Sequence, residues 1–310
     1  MYFQESFTSM IQISHFQIFN ISIICPSGYF PLQKAECCIQ TLQQWGYTVQ
    51  VGKTVGLQYH YFAGTDAERL QDLQQALDNP NIQAIFCARG GYGLSRIIDQ
   101  LDFTAFMQHP KWVIGFSDIT ILHARLQRLG FPSLHAPMAN AFNEGGVERA
   151  SVQSLKAVLF GQPIHYTVAP HAFNRLGNVT APLVGGNLTI IAHLIGSVDS
   201  IDTKNKILVM EDVGEYLYNI DRMLIQLKRA GMLQNLAGLL VGGFTDMKDT
   251  TIPFGKTVEE IVWEHVAEYH YPVAFHFPVS HGEPNLAVKL GVTYQLSVAE
   301  HGVELKEIIK

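Results

Sequence analysis

"KWVIGFSDITILHARLQRLG", residues 111–130, packs a strand, a turn and a helix into one short stretch. WVIGF is an apolar run of the kind expected where a parallel sheet is covered on both faces. ITILHARLQRLG has helical spacing and is closed by Gly130. Between them stand Ser117 and Asp118. A serine at a strand end, just before a helix, exposes its hydroxyl at the carboxyl edge of the sheet. The N–H of the next residue, Asp118, then sits at the helix start, which is the physical logic of a nucleophile elbow. The second glycine of the usual G-x-S-x-G pattern is missing, since Ile119 stands there. A Ser or Asp helix N-cap explains the same residues, and taken alone the local sequence favours that cap.

The same alternation extends outward from this stretch. IFNISIICPSGY reads as a first strand ending in a loop, Leu32 to Trp45 as a helix, and YTVQV as a second strand. GTDAERLQDLQQALDNP carries a capping box, Thr65 with Glu68, and places Leu70, Leu73 and Leu77 on one helical face before Asp78-Asn79-Pro80 stops it. AIFCA is another buried strand and SLHAP one more. Strands alternating with helices up to about residue 140 predict a doubly wound α/β domain.

From Asn143 to about Pro170 no sheet period is visible, which suggests a connection. Beyond it, GGNLTIIAHLIGS, YNIDRMLIQLKRAG and KTVEEIVWEHVAEY read as helices, the last with a second capping box, Thr257 with Glu260. KILVMED, LAGLLVGGF and PVAFHFPV read as strands, and the tail alternates like short antiparallel strands. A second, α+β domain is expected. The leading MYFQESFTSM is set aside from the fold reasoning.

Composition narrows the function. A formal charge of −6 with no Lys/Arg run argues against a nucleic-acid surface. No apolar run approaches the roughly 18 residues of a membrane span. The first lysine is Lys34, so no basic region suggests a signal peptide. Cys25, Cys37, Cys38 and Cys87 have neither metal nor redox spacing, and a reduced, cytoplasmic protein is expected.

ARGGYGLSR (88–96) follows an apolar strand and suits a loop whose backbone N–H groups face an anion, as a phosphate cradle or an oxyanion hole. A nucleophilic serine needs a base, and the base an orienting carboxylate. His281, in FPVSHGEPN, is the best placed of the 13 histidines, with His135 its rival. Glu211 ends the apolar run ILVM beside Asp212, and a carboxylate at a buried strand end is costly without a partner. Glu215 is an alternative. Metal ligation reads poorly: His265 and His270 are five apart, off one helical face, and an extended strand would point His276 and His281 to opposite faces. No metal or cofactor is expected.

ARGGYG, GFSDITIL, HAP, GGNL, LVMEDVGEYLYNIDRML and HFPVSHGEPNLAVKLG, in this order from about Ile18 to Gly291, resemble the LD-carboxypeptidases of the muramoyl-tetrapeptide type, whose superfamily includes the microcin C immunity peptidases. The resemblance implies a Rossmann-like N-terminal domain over 15–145, a connection over 146–172, and a smaller C-terminal domain over 173–310. It implies Ser117 as nucleophile, His281 as general base and Glu211 as its orienting acid. Backbone N–H groups of Gly91 and Asp118 would form the oxyanion hole. The implied enzyme is a metal-free, cytoplasmic homodimer that removes terminal D-alanine from murein tetrapeptide in cell-wall recycling. Proximity to the motifs suggests Arg89, Tyr92 and Asn187 as substrate contacts. The alternatives are a microcin C immunity-type peptidase acting on a peptidyl-nucleotide or other amide, and a non-catalytic ligand-binding protein that uses the 88–96 loop.

Overall fold

The computed structural model describes residues 18–143 and 145–309; the leading MYFQESFTSM and the expected domain start at 15 lie outside the described residues. Five short strands, β1 (Asn20–Ile24), β2 (Thr48–Val51), β3 (Ala84–Cys87), β4 (Trp112–Gly115) and β5 (Ser133–His135), run parallel. Helices α1 (Leu32–Gln44), α2 (Asp66–Asp78), α3 (Thr104–Gln108) and α4 (Thr120–Arg128) connect them. All four residues of β3 and of β4 are buried, which explains why these strands read as unbroken apolar runs. The strand order β5-β4-β3-β1-β2 reverses between β1 and β3, so the loops leaving those two strands flank the crevice where open α/β sheets bind ligands. The capping box of α2 is formed, with Glu68 N–H donating to Thr65 Oγ1 at 3.3 Å and Thr65 N–H to Glu68 Oε2 at 2.8 Å. At the other end of α2 the buried Lys111 donates to the carbonyls of Leu77 and Asn79 at 2.8 and 2.7 Å.

Residues 146–172, expected as a connection, hold α5 (Ala150–Leu159) and β6 (His165–Val168). β6 is an edge strand with no fully buried residue, so it shows no apolar alternation in the sequence. The second sheet then takes β7 (Gly177–Asn187), α6 (Leu188–Leu194), β8 (Ile207–Val213), α7 (Leu217–Arg229), β9 (Gly238–Thr245), α8 (Val258–Val266) and β10 (Val273–Ala274). Three strands follow: β11 (Val288–Leu290), β12 (Thr293–Ala299) and β13 (Gly302–Glu307). Its order is β10-β9-β8-β7-β12-β13-β6, parallel from β10 to β7 and antiparallel from β7 to β6.

Two expectations are corrected. PVAFHFPV is a strand only at Val273–Ala274, because His276 turns the chain with φ +55°. β11 does not join the second sheet but pairs antiparallel with β5, Val288 opposite His135, as the sixth strand of the first. The two sheets are thereby stitched together. Lys289 on β11 reaches Glu307 on β13 at 2.7 Å, and Asn187 N–H at the end of β7 donates to Thr120 Oγ1 on α4 at 3.1 Å. Among the described residues no helix is long and apolar enough to cross a membrane.

Candidate active site

β4 ends at a turn that few side chains tolerate. Ser117 sits at φ +64°, in the left-handed region, where a non-glycine residue is strained. It opens a single 3-10 turn, Ser117–Ile119, that leads into α4. The serine is half-buried. The Gly-rich loop packs directly on it. A Cβ built on Gly90 would lie 3.0 Å from Ser117 Cβ and 3.3 Å from the Asp118 nitrogen, so only a glycine backbone comes this close without displacement. The Gly90 carbonyl accepts from Gly28 N–H at 3.0 Å. In a trans peptide this turns the Gly91 N–H to the opposite side.

The loops are fastened from below by side chains that sequence reasoning missed. Buried Asp118 accepts from Ser27 Oγ at 2.6 Å and from Leu94 N–H at 3.0 Å, and so ties the loops after β1 and β3 to the turn after β4. Burial raises the Asp118 carboxyl above its ordinary range, against the pull of these two donors. Arg69, with no exposed surface, donates to the carbonyls of Pro26 and Gly93 at 2.8 and 2.9 Å. Charged residues beside an apolar strand end were the available signal, but their partners lie 24 to 91 residues away.

On the second sheet, Glu211 is fully buried in β8, at an irregularity in its pairing with β9. Its Oε2 lies 2.6 Å from His281 Nδ1, and Asn187 Nδ2 lies 3.4 Å from Oε1. Burial raises the Glu211 carboxyl; the histidine bond pulls it back down. The segment carrying His281 runs close against β9, with Gly243 N–H donating to Val279 O at 2.9 Å. A Cβ on Gly242 would fall 2.2 Å from Val279 O and 3.0 Å from Glu211 Cβ, so this glycine sets the spacing between the strand and the histidine segment. Beyond His281 the loop is clipped to the start of α5. Ser151 Oγ donates to Glu283 Oε2 at 2.7 Å and accepts from Asn285 N–H at 2.8 Å.

The two halves meet at Phe116, whose ring centroid lies 4.7 Å from that of His281. Both line a cleft of about 640 Å³ together with Arg89, Lys34, Arg149 and Glu283. Ser117, Gly91 and Asp118 are not among the residues lining it; Ser117 and Asp118 follow the lining residue Phe116, and Gly91 follows Gly90, which packs on Ser117. Among the described residues neither the Ser117 hydroxyl nor His281 Nε2 makes a hydrogen bond, so the imidazole and carboxylate are joined to each other and the serine to neither.

The other sequence candidates fall elsewhere. Tyr92 is exposed and packs on Phe62, outside the cleft lining. Asn187 lies behind Glu211: it caps α6 through Oδ1 and donates to Asp212 at 2.9 Å, so its polar atoms are occupied. Glu215 accepts from Asn219 at 2.8 Å, and Asp212 from Thr189. His135 is fully buried beside Phe116 with neither ring nitrogen bonded, and burial holds it well below its ordinary pKa. Among the described residues no group of three or more His, Cys, Asp or Glu side chains is placed to hold a metal.

A serine at a left-handed strand-to-helix turn on one sheet, next in the chain to a phenylalanine that packs on an imidazole paired with a carboxylate from another, is a layout suited to nucleophilic hydrolysis. The chain belongs to the LD-carboxypeptidase family: the sequence model of that family's N-terminal domain matches residues 21–136, and that of its C-terminal domain residues 180–296. It is 32% identical over 285 residues to a probable murein peptide carboxypeptidase of Bacillus subtilis, covering 91% of this chain and 89% of the other. It is also 32% identical to a murein tetrapeptide carboxypeptidase of Pseudomonas aeruginosa, covering 88% and 92%. The crystal structure of a muramoyltetrapeptide carboxypeptidase from Oxalobacter formigenes superposes with a TM-score of 0.84 at 26% identity, covering 93% of this chain and 98% of that one.

Proposed function

We propose that this LD-carboxypeptidase cleaves the L,D-peptide bond of murein tetrapeptide with a Ser117–His281–Glu211 triad and releases terminal D-alanine for cell-wall recycling. The single observation that carries the reading is the 2.6 Å bond between Glu211 and His281 beside the elbow. A fully buried carboxylate is costly, and one spent on orienting a half-buried imidazole has a use there.

In the proposed reaction His281 Nε2 takes the proton as Ser117 Oγ attacks the carbonyl carbon. Glu211 fixes the tautomer through Nδ1 and stabilises the imidazolium. Negative charge moves onto the carbonyl oxygen, which the N–H groups of Gly91 and Asp118 receive; losing one such donor typically costs about 2.7–4 kcal/mol. The C–N bond breaks as His281 gives its proton to the departing amine. Water, deprotonated by His281, then resolves the acyl-enzyme. The left-handed backbone at Ser117 supports the reading, since strain of this sort is retained where it aims a reacting group.

The proposed setting is a cytoplasmic homodimer that needs no metal or cofactor, and Arg89 is the substrate contact that the cleft supports. The test is incubation with murein tetrapeptide, followed by mass spectrometry. Loss of one alanine by the wild type, and none by Ser117→Ala, is the expected result. Failure of the wild type to release D-alanine from any L,D-linked peptide would overturn the proposal.

A further inference from the structure

We propose that a cationic wall of the cleft, with Lys34 as its principal charge, binds the free C-terminal carboxylate of the leaving residue and so makes the enzyme a carboxypeptidase rather than an endopeptidase. This inference rests on the reaction proposed above. In a chain of net charge −6, the charged residues lining this cleft, His281 apart, are Lys34, Arg89, Arg149 and Glu283, three cations to one acid. A cleft with a local charge opposite to that of the whole molecule concentrates anions.

The three cations differ in what already holds them. Arg149 lies 3.7 Å from Glu283, which neutralises part of its field. Arg89 donates one N–H to Tyr29 O at 2.7 Å, which fixes the guanidinium and leaves its remaining donors for a ligand. Lys34 stands in the first turn of α1. Among the described residues its ammonium has no hydrogen bond or ion pair, and its backbone alone is engaged, with Pro31 O and Asn143 Nδ2.

Covalent geometry keeps the ligand close to the reacting carbonyl. The carboxylate of a terminal residue lies within about 5 Å of the carbonyl carbon under attack. It must therefore occupy the same cleft that His281 lines. Arg89 directly precedes Gly90, which packs on Ser117, so a cation stands one residue from the loop that would receive the oxyanion. Lys34 lines the same cleft from α1.

The test compares murein tetrapeptide ending in D-alanine with the same peptide ending in D-alaninamide, using the wild type and Lys34→Gln, an exposed position where glutamine also favours helix. The wild type should prefer the free acid by roughly 100-fold in kcat/KM, and Lys34→Gln should raise KM for the acid about tenfold while leaving kcat and the amide reaction nearly unchanged. Arg89→Gln should act in the same direction. Raising salt from about 0.05 to 0.5 M should slow the acid more than the amide at sub-saturating substrate, because screening weakens the attraction. Equal turnover of acid and amide by the wild type, or an equal loss on both in Lys34→Gln, would overturn the inference and leave the carboxypeptidase chemistry standing. A wild type inactive on both substrates would overturn that chemistry, and the inference with it.

Discussion

Ser117 and His281 are held in opposite ways. The serine is fixed by its own backbone: a left-handed φ of +64° at a strand end, with a glycine loop packed against it. The histidine itself is not at a left-handed φ and is fixed by side chains from other elements, Glu211 at its ring and Ser151 behind Glu283 and Asn285. Strain is local and rigid. A hydrogen-bonded loop depends on its partners, so the position of the imidazole can be changed by substitutions at Glu211, Ser151 or Glu283, whereas that of the serine cannot.

The difference also explains what was legible. GFSD could be read because a strand, a turn and a helix lie within a few residues, and because β3 and β4 are buried on both faces. His281 could be located but its support could not, since Ser151 and Glu283 are 132 residues apart. Asn187 was legible only in part: its cap of α6 is a local bond to Ile190, but its donation to Asp212 depends on a strand 25 residues on. β6 escaped notice because an edge strand needs no apolar alternation, and β11, expected as an antiparallel strand, was given to the wrong sheet because its three residues look the same whichever sheet they join.

Several substitutions would break or sharpen the comparison. The largest effect belongs to the fixed partner: Ser117→Ala should cut kcat/KM by about 10⁴-fold or more, measured as D-alanine release. Glu211→Gln, on the adjustable side, should cost roughly 10³–10⁴-fold in kcat while the fold survives, since an amide can still bond Nδ1 but cannot stabilise the imidazolium. A Glu211→Gln enzyme of near-normal activity would remove the carboxylate from the mechanism.

Acid should weaken the support beneath the elbow. His123 bonds Gly115 O at 2.9 Å, and burial pushes its pKa down to about 4. The native state therefore keeps it neutral where the unfolded chain takes up a proton, so stability falls as pH drops from about 6.5 to 4, by roughly 3 kcal/mol. His135 adds a loss of the same sign. Glu211 and Asp118, raised by burial, act oppositely: the stability they contribute is present at low pH and is lost as pH rises above the ordinary carboxylate range. Urea midpoints across this range should fall less steeply for His123→Gln than for the wild type.

Gly242→Ala should destabilise by about 1–3 kcal/mol and lower kcat, because the new methyl meets Val279 O and must push the histidine segment away from β9. The smallest effect concerns strain alone. Ser117→Gly should melt above Ser117→Ala by about 1 kcal/mol, since only glycine relaxes at a left-handed φ. Equal melting temperatures would mean that the elbow is not strained.

β11 gives the architecture a temporal dimension. The first sheet is complete only when a strand from residues 288–290 is laid against β5. During synthesis the amino-terminal lobe must therefore wait, with one edge unpaired, until residue 290 has left the ribosome. His281 emerges just ahead of that closing strand. A chain ended before both would carry Ser117 without His281, and an unpaired sheet edge at β5 open to association with other chains.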